Sequence, residues 1–143
     1  LIAAQDYVRA TPLIENALRI WREETFLAGL TGPWAEAVRL QLAEEHRSAF
    51  LDYCDIKLRM GHHRELIPQL RLMQGKNQFD EALTYRLMLA YYRSGRTAMA
   101  LEAFHQTRRE LLTELGVDPG RGLTELHSRI LRQDPEIDAD PPD

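Results

Sequence analysis

Few residues in this 143-residue sequence have types and spacings that could do chemistry. His62 and His63 are adjacent, which on a helix turns them about 100° apart and makes a poor chelating pair. A helix-cap or solvent-facing role suits them better. Cys54 has Lys57 as its only cationic neighbour at helical spacing, and one lysine lowers a thiol pKa only slightly, so a packed thiol is expected rather than a reactive one. His105 and His127 stand apart in sequence and read as partial-core or surface residues. No Ser/His/Asp order, phosphate-cradling glycine loop or paired-carboxylate arrangement occurs. These residues point to no enzyme, no cofactor and no metal site. The single cysteine cannot form an internal disulfide, which fits a reducing compartment.

Composition narrows the class of partner. Apolar residues make up 44% and charged residues 28% of the sequence, as in ordinary soluble domains. No apolar run approaches the roughly 20 residues that cross a bilayer, and the first residues lack a basic leader and cleavage site. A cytoplasmic protein with no membrane partner is expected. The first residue is not Met and Leu1 to Ala4 read as the tail of a helix, so a longer parent protein is expected as well. The net charge of −4 is uneven: five acids and no bases fall in the last ten residues, leaving 18 bases and 17 acids in residues 1–133. Such a balance lacks the basic face through which phosphate backbones are bound. The end of the chain, with Pro135, Pro141 and Pro142 among its acids, reads as a disordered terminus or linker.

The elements that position these residues are all helices. Thr11-Pro12 opens the first, which carries Leu13 or Ile14, Ala17, Leu18 and Trp21 and ends near Arg22. An apolar connector, residues 26–32, follows. Pro33-Trp34 opens the longest helix, with a spine of Trp34, Val38, Leu42, His46, Ala49, Tyr53, Ile56 and Met60. Gly61 ends it, and the next helix carries Leu66, Leu70 and Met73 before Gly75. Leu83, Leu87 and Tyr91 share the face of a fourth helix that Gly95 terminates. Ala100, Phe104, Arg108 and Leu111 share the face of a fifth, which runs to Gly116. After a turn at Val117-Asp118-Pro119-Gly120, Leu123, Leu126 or His127, Ile130 and Leu131 form a last amphipathic helix ending near Gln133.

A repeat links the middle helices. Gly61 and Gly95 are 34 residues apart, as are Leu66 and Ala100, Leu70 and Phe104, and Arg59 and Arg93. That is the period of a tetratricopeptide unit, in which stacked hairpins complete each other's core. The expected fold is all-α: about six helices, arranged as tetratricopeptide-like hairpins in a short α-solenoid. Departures from the repeat are visible. Leu66 stands where a small residue is usual, Lys57 corresponds to Tyr91, and Thr107 and Leu112 replace an alanine and a proline. In stacked hairpins the first helix of each pair lines the concave side, so Asp55, Arg59, Tyr85, Leu89, Tyr92 and Arg93 form the candidate protein-contact groove. Tyrosine and arginine suit such contacts because they are amphipathic and bond directionally. Tyr92 and Leu89 also fit a plain core role, and Arg59 and Arg93 a capping role at helix C-termini.

Pro33-Trp34 leading into Arg39 and Leu42, the hairpin residues 89–96, the run from Glu114 to Gly120, and Leu126-His127-Ser128-Arg129-Ile130-Leu131 together resemble the bacterial transcriptional activator domain. It is the domain that follows the winged helix in Streptomyces antibiotic regulatory proteins. The likeness covers about Ala10 to Glu136. It places the domain at residues 1–136, with its first helix largely missing, and leaves 137–143 as an acidic, proline-rich tail. The resemblance implies a transcription activator whose domain supports dimerisation and contacts RNA polymerase, including its sigma factor. Promoter DNA would then be bound through a winged-helix domain absent from this chain. Two other readings of the residues stay open: a ligand-sensing module of a larger regulator, and a scaffold repeat unrelated to transcription.

Overall fold

The computed structural model describes Pro12, Ile14, Glu15 and residues 31–138. Pro12, Ile14 and Glu15 are helical; the rest of the expected first helix and the connector at residues 26–30 lie outside the described residues. Five α-helices follow: α1 (Pro33–Arg59), α2 (His63–Lys76), α3 (Glu81–Arg93), α4 (Thr97–Glu110) and α5 (Arg121–Leu131). A π-helical turn, Leu111–Leu115, extends α4, and a 3₁₀ turn, Pro135–Ile137, follows α5. Among the described residues there is no strand. The chain divides into two compact units, residues 1–56 and 57–142, with the boundary in the last turn of α1.

In the first unit, α1 buries Ala35, Phe50, Tyr53, Cys54 and Ile56. The Tyr53 hydroxyl donates to Glu15 Oε1 at 3.4 Å, and the Phe50 and Tyr53 rings stack with centroids 6.2 Å apart. The spine expected from periodicity is only partly realised. Trp34 is 69% exposed, while Phe50 and Cys54, off that spine, are buried. Burial is concentrated in the C-terminal third of α1 and reaches more than one face there, so a single apolar stripe describes that part poorly. Cys54, at 0% exposure, is the packed thiol its surroundings imply.

The second unit is the helical stack. α2 packs on α3, α3 packs on α4, and α5 packs on both α3 and α4. Its core is Leu58, Leu66, Ile67, Leu70, Leu83, Leu87, Met88, Ala90, Tyr91, Ala100, Ala103, Phe104, Leu111, Leu123, Leu126, Ile130 and Ile137. On α4 it is Thr107, not Arg108, that faces inward. Thr107 Oγ1 lies 2.9 Å from Thr84 Oγ1, and Gln74 Nε2 of α2 donates to both, at 2.9 Å and 3.5 Å. This buried polar node satisfies groups on three helices at once. Since unmatched hydroxyls in a core are costly, it favours one register of α2, α3 and α4 over others.

The 34-residue repeat is realised atom by atom at the two turns. Gly61 and Gly95 have φ of +80° and +78°. After α1, Gly61 N donates to Leu58 O and His62 N to Lys57 O; after α3, Gly95 N donates to Tyr92 O and Arg96 N to Tyr91 O. Both are Schellman caps, and glycine avoids the cost of about 1–2 kcal/mol that an L-residue meets in left-handed backbone. The same pattern places Lys57 where Tyr91 stands. Lys57 is 8% exposed, and its Nζ meets Glu65 Oε2 of α2 at 3.4 Å. Its aliphatic stem fills the aromatic position while its ammonium reaches a partly solvated carboxylate.

The end of the chain is more ordered than its composition suggests. A third Schellman cap closes α5, with Gln133 at φ 53° and Asp134 N donating to Arg129 O. Asp134 then caps the 3₁₀ turn by accepting from Glu136 N. Ile137, assigned to the tail on sequence, is 3% exposed. One apolar residue beyond a capped turn is enough to return the chain to the core, a signal that the surrounding prolines and acids hide. Residues 139–143 lie outside the described part.

Candidate functional site

Helix α3 owes its start to Asp80, whose side chain accepts from Ala82 N at 3.1 Å. Its inner face buries Leu83, Thr84, Leu87, Met88, Ala90 and Tyr91. With that face fixed, the helical period leaves Tyr85, Leu89, Tyr92 and Arg93 half-buried on the neighbouring stripe. Four of the six candidate groove residues are therefore assembled on one helix. Arg59 is the last residue of α1, half-buried in the second unit; Asp55, four residues earlier and also half-buried, belongs to the first.

The C-terminal segment meets this stripe at Arg93. Arg93 Nε donates to Ile137 O at 2.8 Å, which ties the end of α3 to the returning chain. Behind that contact, Arg129 of α5 is bonded to Asp134 at 3.1 Å and to Glu136 at 3.4 Å. A hydrogen bond to Asp134 holds Arg129 above the ordinary arginine value, helped by the charges of Asp134 and Glu136 and by Tyr85 against the pull of burial. Asp134 is held low in turn, first by the Glu136 N–H and then by Arg129 at 3.1 Å. None of Arg129, Asp134 or Ile137 was expected at the groove, because nothing local in the sequence shows that the chain turns back onto α3.

Two further groupings escape sequence reading. Arg71 Nη1 of α2 donates to the Tyr91 hydroxyl, and the Arg96 guanidinium sits 5.1 Å from the centre of the Tyr91 ring. The histidines read as isolated are together: His127 stacks on Phe104 with centroids 3.9 Å apart and planes at 11°, and His105 lies edge-on to His127 at 5.3 Å. His127 Nε2 is buried without a hydrogen-bond partner among the described residues. Burial, then the charges of His105 and Arg108, push its pKa below 6.5.

Near the turn between α1 and α2, a shallow cleft of about 360 Å³ is lined by Gly61, His62, His63, Arg64, Glu65, Arg93 and Ser94. His62 Nδ1 is 3.8 Å from Glu65 Oε2. Among the described residues no three His, Cys, Asp or Glu side chains form a metal-binding group, and no helix is long and apolar enough to cross a membrane. Tyr85, Leu89, Tyr92 and Arg93 form a half-buried stripe of tyrosine, leucine and arginine on one helix.

Relatives of the chain are regulators. It is 42% identical to the Regulatory protein AfsR of Streptomyces coelicolor over 135 residues, covering 94% of this chain and 14% of AfsR. It is 37% identical to the Regulatory protein DnrI of Streptomyces peucetius, covering 94% of this chain and 49% of DnrI. The solved structure of Mycobacterium tuberculosis EmbR in complex with a low-affinity phosphopeptide superposes with a TM-score of 0.77 at 27% identity, over 96% of this chain and 35% of that one. The chain thus spans half or less of the length of each of these proteins. Residues 1–131 match the family described as Bacterial transcriptional activator domain, and the chain belongs to that family, as a transcriptional activator domain of the Streptomyces antibiotic regulatory protein type.

Proposed function

We propose that this domain is the protein-contact module of an actinobacterial transcription activator. It supports dimerisation, engages RNA polymerase and its sigma factor in the cytoplasm, and leaves promoter reading to a winged-helix domain outside this chain. It carries out no catalysis. The observation that carries the reading is the family match over residues 1–131, with relatives named as regulatory proteins. Two features support it. Residues 1–133 are nearly charge-balanced, which suits a domain that does not itself hold a phosphate backbone. The half-buried Tyr85, Leu89, Tyr92 and Arg93 offer the residue types enriched in protein interfaces, on a helix fixed by its buried face. Arg59 is proposed as the part of this contact surface supplied by the end of α1, and Asp55 as a contact residue of the first unit taken by itself.

Co-precipitation of RNA polymerase holoenzyme with the full-length regulator tests this. Removing residues 1–143 is expected to abolish recovery of polymerase while leaving promoter binding in place. Equal recovery with and without these residues would contradict the reading.

A further inference from the structure

His105 on α4 and His127 on α5 lie 22 positions apart, yet their rings meet edge to face at 5.3 Å. The pair sits in the seam by which α5 packs on α4. His127 is half-buried, lies flat on Phe104, and presents Nε2 to a place where no partner accepts or donates. A neutral ring fits there. A protonated one meets three penalties: lost hydration, the neighbouring imidazole, and Arg108 one turn along α4. The face of Phe104 attracts a cation and offsets part of this.

The other charges near the seam are committed elsewhere. On α5, Arg129 is bonded to Asp134 and Glu136. On α4, Arg109 pairs with Glu102 at 2.9 Å. No carboxylate is among the groups that act on His127.

We propose that the His127 ring, stacked on Phe104 and edge-on to His105, is an acid-sensitive clasp: when it takes up a proton, α5 and the Asp134–Ile137 turn behind it detach from the α3–α4 hairpin. Detachment breaks the Arg93–Ile137 bond, so a residue of the α3 stripe changes its surroundings. That consequence for partner binding rests on the functional reading above; the clasp itself does not. The direction follows from linkage. The closed state holds His127 below 6.5, whereas a released His127 takes the ordinary value of 6.5. Closure is therefore strongest above 6.5 and weakens as the pH falls through that value and below it.

Hydrogen exchange of the whole protein at pH 7.5 and 5.5, corrected for intrinsic rates, tests the clasp. Amides of α5 are expected to lose up to about tenfold in protection at the lower pH while those of α3 and α4 hold theirs, since pH 5.5 lies one unit below the ordinary value of 6.5. The H105Q/H127F variant keeps a flat ring on Phe104 without the protons, and its α5 is expected to stay protected. The proposal is overturned if α5 protection follows that of α3 and α4 at both pH values, or if the variant loses protection as the wild type does. Should the variant not fold, an NMR titration of wild-type His127 decides: a midpoint below 6.5 supports the clasp, and one at or above 6.5 overturns it. The readout is α5 protection and not polymerase recovery, so failure here leaves the functional reading standing.

Discussion

Replacing Tyr91 by alanine is expected to cost about 3–5 kcal/mol, the range for truncating a buried aromatic. Tyr91 is 1% exposed and supplies the carbonyl that accepts from Arg96 N in the cap after α3. Its hydroxyl accepts from Arg71 on α2, and its ring lies beneath Arg96. Alanine keeps that carbonyl but loses the contacts with Arg71 and with Arg96 together, and the residual hole cannot collapse without moving a capped turn. Since a domain of this size is stable by roughly 5–15 kcal/mol, the loss removes a large share of the total. Y91F is expected to cost only about 1 kcal/mol, because it removes one hydrogen bond whose donor, Arg71, is exposed and can turn to water. Urea melts of wild type and both variants check the order.

The second large effect lies at the buried hydroxyl node, and it is asymmetric. T84V removes the acceptor of the 2.9 Å bond from Gln74 and the partner of Thr107 together, leaving Thr107 Oγ1 with only the 3.5 Å contact. T107V leaves the short Gln74–Thr84 bond intact. Stranding a buried polar group costs about 1–3 kcal/mol, so T84V is expected near the upper end of that range and T107V near the lower. The double variant T84V/T107V strands no hydroxyl, and half-buried Gln74 can hydrate, so it is expected to cost less than the two singles added. A double-mutant cycle by denaturant melts measures the difference; strict additivity would show that the node is not a node.

Much of this fold was legible because glycine and periodicity carry it. Gly61 and Gly95 announced the repeat, and the caps that follow them are the same down to the donor and acceptor positions. The Lys57 and Tyr91 pairing, a departure on sequence, proved to be a substitution of stem for ring at one structural position. Trp34 was misleading because periodicity assumes one buried stripe, whereas α1 buries Ala35 rather than Trp34 at its start and more than one face near its end. The acidic end concealed Ile137, since composition averages over residues and burial does not. For the groove, helical spacing was enough to put Tyr85, Leu89, Tyr92 and Arg93 together. It was silent on the contact made by Arg93, which depends on where Ile137 returns. His105 and His127 were unreadable for the same reason: their meeting depends on how two helices cross.

The α3 stripe is proposed to contact polymerase, and reconstituted transcription with the full-length regulator tests this most directly. The variant Tyr85→Ala/Leu89→Ala/Tyr92→Ala is compared with wild type on a promoter the regulator binds, with occupancy measured by footprinting in the same reactions. Unchanged footprints with activation reduced to the basal level are the predicted result. Full activation by a folded variant at the same occupancy would contradict it.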